Sequence, residues 1–192
     1  LISAQRGTIF AFDEAPSENP NVYGFELMAA AGYVAILPDL IGFGTAKTEE
    51  RPYFNEVASS QSVIDLLRAT REFLEDEAIA TNDKLFLFGY SEGGFVTAAA
   101  HKAIEANFAQ EFDITATAVG AGAYDIVDVM NTLVARSTFD SPGFLALIID
   151  SYNKVNDFNR PLDYYFQEPY ASDLPSLLDG SNDLSGVNAG LN

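Results

Sequence analysis

The chain has 192 residues, 48% of them hydrophobic, with 28 acidic side chains against 10 basic ones and a formal net charge of −18. That length holds one ordinary core, or one core with a small appended subdomain, and the charge argues against nucleic acid or an anionic membrane face as the main partner because both would repel it. Cysteine is absent, which excludes disulfides, thiolate metal sites and a cysteine nucleophile.

Residues 1–4, Leu1-Ile2-Ser3-Ala4, already form an apolar strand-like run with no basic, apolar leader before it. This reads as a start from which earlier sequence, any export signal included, has been removed. No stretch of about 18 apolar residues occurs, so no membrane-spanning helix is expected. Three more strand-like runs follow at 33–37, 85–88 and 115–120, rich in Val, Ile, Leu, Phe and Ala as befits strands buried on both faces. A turn-rich segment, Pro16-Ser17-Glu18-Asn19-Pro20-Asn21, lies between the first two, and Gly32 stands where a helix ending near Ala31 wants a left-handed residue. Val63, Leu66, Leu67, Thr70 and Leu74 recur at helical spacing with Asp65, Arg68, Glu72 and Glu75 opposite, which predicts an amphipathic helix on a sheet. Strands alternating with helices imply an α/β fold with a mostly parallel sheet.

From about Asp125 the strand signal stops. The rest is helix-like and aromatic, with Phe139, Phe144, Tyr152, Phe158, Tyr164, Tyr165, Phe166 and Tyr170, and reads as a helical cap that ends in a turn at residues 178–183. The expected division is therefore 1–125 as a partial core and 126–192 as a cap or lid. The cap aromatics suit either an acyl-chain pocket or simple helix packing.

The segment that carries chemistry is Leu85-Phe86-Leu87-Phe88-Gly89-Tyr90-Ser91-Glu92-Gly93-Gly94-Phe95, an apolar strand running into G-x-S-x-G and then an Ala-rich helix. At so sharp a turn Gly89 and Gly93 let the backbone fold while the Ser91 hydroxyl stays exposed above the sheet. The helix that follows aims its N-terminal N–H groups at the reacting centre, where a tetrahedral oxyanion gathers negative charge. Ala98, Ala99, Ala100 and Ala103 let that helix approach the strands closely.

On these residues the chain resembles the α/β-hydrolases, and more narrowly the secreted lipases and esterases with a helical cap. Gln5-Arg6-Gly7-Thr8 resembles that group's His-Gly-Thr oxyanion loop, with Arg6 where the group usually has His. Ala31-Gly32-Tyr33 through Pro38-Asp39-Leu40-Ile41-Gly42-Phe43-Gly44 resembles its Gly-Tyr…Pro-Asp-x-x-Gly-x-Gly strand and loop, and Gly120-Ala121-Gly122-Ala123-Tyr124-Asp125 its strand end before the cap. The resemblance implies strands three to six of an eight-stranded sheet. It also implies Ser91 as nucleophile, with Gly89, Tyr90 and Gly93 forming the elbow around it. The Glu92 N–H and the Gly7-Thr8 loop, Thr8 in particular, are the implied oxyanion donors, and Asp39 is a loop-structuring carboxylate.

Such a hydrolase needs a histidine base and a carboxylate to orient it. The single histidine, His101, lies ten residues after Ser91, roughly 15 Å along a helix at 1.5 Å per residue, beyond the about 3 Å reach of a general base. In the resembling fold the acid and histidine follow later strands, so they are expected from a C-terminal segment or a second chain. Asp125 is the alternative acid within the sequence, its other reading being a helix N-cap.

Phosphate and dinucleotide loops fail on missing glycines at 41–48 and 120–125, and residues 179–183 lack calcium-loop spacing. The expected activity is thus carboxylic ester hydrolysis on an ester or lipid substrate, through an acyl-enzyme and without metal or cofactor, by a secreted, periplasmic or cell-surface protein. The alternatives are a peptidase or amidase using the same triad, or an inert binding half that needs a second polypeptide.

Overall fold

Four strands, β1 (Ile2–Gln5), β2 (Ala35–Ile36), β3 (Leu85–Tyr90) and β4 (Ile114–Gly120), form one sheet in the order β2-β1-β3-β4, every pair parallel. The computed structural model describes residues 1–19 and 24–192. Of the predicted turn at 16–21, residues 16–18 are turn, closed by Glu18 N–H and Asn19 N–H donating to the Ala15 carbonyl at 3.0 and 2.8 Å; Pro20 and Asn21 lie outside the described residues. All four predicted strands exist, their ends shifted by at most two residues.

Burial separates them. β1 and β3 carry fully buried residues, Ala4, Leu85 and Leu87 among them. β4 does not meet the expectation of burial on both faces: Thr115, Ala116, Ala118 and Val119 are exposed, because among the described residues β4 is an edge strand paired with β3 alone.

Two compact units emerge from the packing. One comprises Leu1–Thr8, the described part of Pro20–Leu40, and Phe54–Tyr124; the other comprises Ile9–Asn19, Ile41–Tyr53 and Asp125–Asn192. The first holds the sheet with α1 (Glu26–Ala30), α2 (Glu56–Asp76) and α3 (Glu92–Ala103), the last of these running on into a π turn at Ile104–Phe108. Helix α1 closes at Ala31, and Gly32 takes φ +92°, the left-handed stop expected from the sequence. The Asn55 side chain accepts from Ala58 N–H at 3.0 Å to cap α2. Helix α2 buries Val63, Ile64, Leu67, Thr70 and Leu74, most of the predicted stripe. Val63, Ile64 and Leu67 join Leu85 and Leu87 of β3, Val96 and Ala100 of α3, Ile104 and Phe112 in one core. Each such aliphatic side chain contributes roughly 1.5–3 kcal/mol on burial.

The second unit holds α4 (Ile126–Val134), α5 (Pro142–Val155), α6 (Tyr170–Leu177) and α7 (Leu184–Leu191). Two early segments are stitched to these helices. Phe12 N–H donates to the Gly180 carbonyl at 2.8 Å, the Phe10 and Phe144 rings meet at 5.7 Å, and Tyr53 N–H donates to Ser151 Oγ at 2.9 Å. The Arg51 guanidinium lies 4.8 and 4.7 Å from the Phe43 and Tyr53 ring centres and donates to the Ile9 carbonyl at 2.6 Å. The turn predicted at 178–183 is built by Asp179, whose carboxylate accepts from Ser181 N–H and Oγ, and by Asp183, which caps α7 through Gly186 N–H. Among the described residues no helix is long and apolar enough to cross a membrane.

Candidate active site

The sheet order places an opening by topology alone. From β1 the chain passes to β2 on one side, and from β3 to β4 on the other, so the loops leaving the carboxyl ends of β1 and β3 diverge. In parallel α/β sheets such a divergence leaves the crevice in which ligands bind. The two strand ends that border it are Gln5-Arg6-Gly7-Thr8 and Tyr90-Ser91, with Gln5 in register with Gly89.

At the end of β3 the backbone turns through Ser91, which takes φ 58° and ψ −123°. A residue with a Cβ rarely adopts this conformation, and it costs about 1–3 kcal/mol. Surrounding contacts hold it there. Ser91 N–H donates to the Gly120 carbonyl of β4 at 2.9 Å, while its own carbonyl accepts from Phe95 N–H at 3.2 Å in the first turn of α3. Serine at the start of a helix usually caps it with the side chain; Ser91 makes no such bond. Ser91 is half-buried and Tyr90 beside it is 63% exposed.

The flanking glycines are dictated by close approach. A Cβ on Gly93 would collide with the Gln5 carbonyl of β1, and one on Gly89 with the Gly93 carbonyl and the Thr97 hydroxyl. Helix α3 can therefore lie directly on the strand ends. Buried polar groups fasten it there: Thr97 Oγ1 donates to Gln5 Oε1 at 2.5 Å, and Gln5 Nε2 donates to Ser3 Oγ at 2.7 Å. The expected alanines follow suit, Ala99 and Ala100 being buried.

On the β1 side, a Cβ on Gly7 would sit 3.7 Å from both Ser91 Cβ and the Tyr90 carbonyl, so the Gly7-Thr8 loop runs beside the candidate nucleophile. Arg6 is 1% and Glu92 4% exposed, and they form an ion pair, Arg6 Nη1 to Glu92 Oε2 at 3.0 Å. The same Nη1 donates to the Gly7 carbonyl at 3.0 Å, and Nη2 to the Asp39 backbone carbonyl at 2.8 Å. Ser91, Glu92, Gly89, Gly93 and Gly7 are thus gathered in one place, with Thr8 next in the chain. Asp39 takes part here through its backbone carbonyl.

Sequence reasoning passed over three features: the Arg6–Glu92 pair, the Gln5–Thr97 bond, and Gly94, whose Cβ would collide with the Gly120 carbonyl. The signal for Gly94 was present as the second glycine of Gly93-Gly94. The side-chain pairs join positions 86 and 92 residues apart, and no local pattern announces them.

His101 is engaged elsewhere. Its Nδ1 is 2.7 Å from Thr117 Oγ1 of β4 and its Nε2 3.1 Å from Glu105 Oε1, one contact to the sheet and one a turn further along the chain. Asp125 belongs to the second unit and caps α4, accepting from Asp128 N–H at 3.0 Å. Among the described residues no group of three His, Cys, Asp or Glu side chains gathers to hold a metal.

The sequence profile of the secretory lipases matches residues 25–177. Among solved structures, a candidate hydrolase from Legionella pneumophila is 28% identical with a TM-score of 0.90, aligned over 100% of this chain and 52% of its own. The rice cell wall degrading esterase LipA from Xanthomonas oryzae is 22% identical with a TM-score of 0.81, over 100% of this chain and 53% of its own. Candida antarctica lipase A in its closed state is 17% identical with a TM-score of 0.68, over 97% and 45%. At these last two identities the likeness speaks for the fold alone. The chain spans about half the length of the solved structures it matches, and no curated protein sequence matches it.

Proposed function

The chain belongs to the secretory lipase family, and from that premise we propose that it carries the nucleophile and oxyanion site of a secreted carboxylic ester hydrolase. The observation that carries the reading is the backbone of Ser91: a left-handed, strained serine at a parallel-strand-to-helix turn, its side chain unused in capping, beside the Gly7-Thr8 loop. Strain of this kind persists where function needs it.

In the proposed reaction a histidine nitrogen takes the Ser91 Oγ proton as Oγ bonds to the ester carbonyl carbon, and the C=O electron pair moves onto oxygen. The Glu92 N–H, at the positive end of α3, and the Thr8 N–H stabilise that oxyanion. The tetrahedral centre collapses, the C–O bond to the alcohol breaks, and the leaving oxygen takes the proton back from the histidine. Water then repeats the cycle on the acyl-serine and releases the acid. Histidine and its orienting acid come from outside these 192 residues, because His101 is bonded to Thr117 and Glu105 and Asp125 caps α4. Residues 126–192 are read as the cap.

The test uses the full-length protein and a fluorophosphonate. Adduct at Ser91, with loss of p-nitrophenyl ester hydrolysis by several orders of magnitude in Ser91→Ala, is expected. Near-normal turnover in that variant would remove Ser91 from the mechanism. The 192-residue chain by itself should remain unlabelled until the remainder is supplied.

A further inference from the structure

We infer that Arg6 is a positioning residue that sets the geometry of both oxyanion donors through one guanidinium nitrogen; this rests on the function proposed above. A trans peptide holds its C=O and N–H pointing in opposite directions across one rigid plane. The peptide joining Gly7 to Thr8 owns the Gly7 carbonyl and the Thr8 N–H. Arg6 Nη1 binds that carbonyl at 3.0 Å, and fixing the carbonyl fixes the direction of the Thr8 N–H, away from Arg6. The other proposed donor belongs to Glu92, and the same Nη1 holds the Glu92 carboxylate at 3.0 Å.

The remaining contacts make the clamp rigid. Nη2 binds the Asp39 carbonyl at 2.8 Å, so the planar guanidinium is anchored from a third segment and cannot rotate about its stem. Its side chain is 0% exposed and that of Glu92 5%, which excludes water that would loosen the bonds. Charge-assisted hydrogen bonds in such surroundings are the strong ones. Lysine keeps the charge but lacks the fork of donors that reaches these three oxygens. Arg6 therefore touches neither substrate nor the reacting atoms; it acts through Gly7 and Glu92. Arg6 also stands where the resembling hydrolases usually carry His, so this loop is supported here by a different side chain.

Truncating one member of a buried pair leaves the other charge stranded and can unfold the protein, whereas replacing both by apolar residues is often neutral. Two variants of the full-length protein are accordingly compared with the wild type: Arg6→Lys, which preserves charge, and Arg6→Met with Glu92→Leu, which removes the pair. The readouts are kcat and KM for p-nitrophenyl butyrate, the rate of Ser91 labelling by a fluorophosphonate, and the thermal midpoint. Expected are kcat and labelling rates lower by roughly 10- to 100-fold, KM within about 3-fold, and a near-normal midpoint for at least one variant. A variant with normal midpoint and kcat within about 2-fold of wild type overturns the inference, as does a loss confined to KM. If the double variant does not fold, Arg6→Lys decides on the same criteria. Wild-type protein that neither hydrolyses the ester nor labels at Ser91 would instead end the proposed function, which separates the two failures.

Discussion

The strand-turn-helix around Ser91 and the helical stretch after Asp125 are held by different means. At the turn, backbone meets backbone: the Gln5 carbonyl occupies the space a Gly93 side chain would need, and the Gly93 carbonyl the space of a Gly89 side chain. In the helical stretch, side chains fill the gaps. Leu174 of α6 and Val187 of α7 are fully buried, and Asn188 of α7 accepts from Gly143 N–H of α5 at 2.9 Å. Backbone contact tolerates almost no substitution, whereas side-chain packing tolerates volume-conserving change. The turn is therefore expected to be the brittle region, and the helices the adaptable one.

Gly93→Ala is the severest test. Its methyl would meet the Gln5 carbonyl, and neither backbone can yield without moving β1 or α3; a loss of about 3 kcal/mol or more together with loss of Ser91 labelling is expected in chemical denaturation and labelling assays. Should Gly93→Ala fold and label normally, the contrast between the two regions collapses. Leu174→Ala comes next. It should lower stability by about 2–4 kcal/mol through the cavity it leaves, yet leave the labelling rate by a small fluorophosphonate within about 2-fold. A labelling loss as large as that of Gly93→Ala would mean that the helices hold the turn in place.

The smallest effect sharpens the contrast rather than testing it. At φ 58° glycine is at ease where alanine is not, so Ser91→Gly should be more stable than Ser91→Ala by about 1 kcal/mol. Equal midpoints for the two would show that the turn stores no strain.

The same contrast explains what was legible in the sequence. Steric rules at Gly89, Ser91, Gly93 and Gly32 act over a few residues, so the elbow and the end of α1 could be read directly. The stripe Val63 to Leu74 revealed α2, though its start, Glu56, lies a full two turns earlier because Ser59 and Ser60 are buried without an apolar signature. Strand content was legible at β4, but its exposure was not, since burial depends on neighbours that a single sequence does not name. In the helical stretch, composition announced helices and aromatics. It did not announce that residues 9–19 and 41–53 pack with them, because the contacts responsible, Phe12 to Gly180 and Tyr53 to Ser151, span 168 and 98 positions. Within the candidate site the position of Ser91 was readable and its support was not: Arg6 stands where the resembling group usually has His, and its meeting with Glu92 is a tertiary event.

The seat of α3 on the Gln5 carbonyl has one more consequence. Strand end, turn and first helical turn form a single stiff piece whose shape is complete once the sheet is assembled. Under the proposed chemistry an arriving acyl group finds its attacker preorganised, with no reshaping left to perform at that end. Discrimination between one acyl or alcohol group and another then falls to residues outside this piece, and chains sharing the same elbow are free to differ in what they accept.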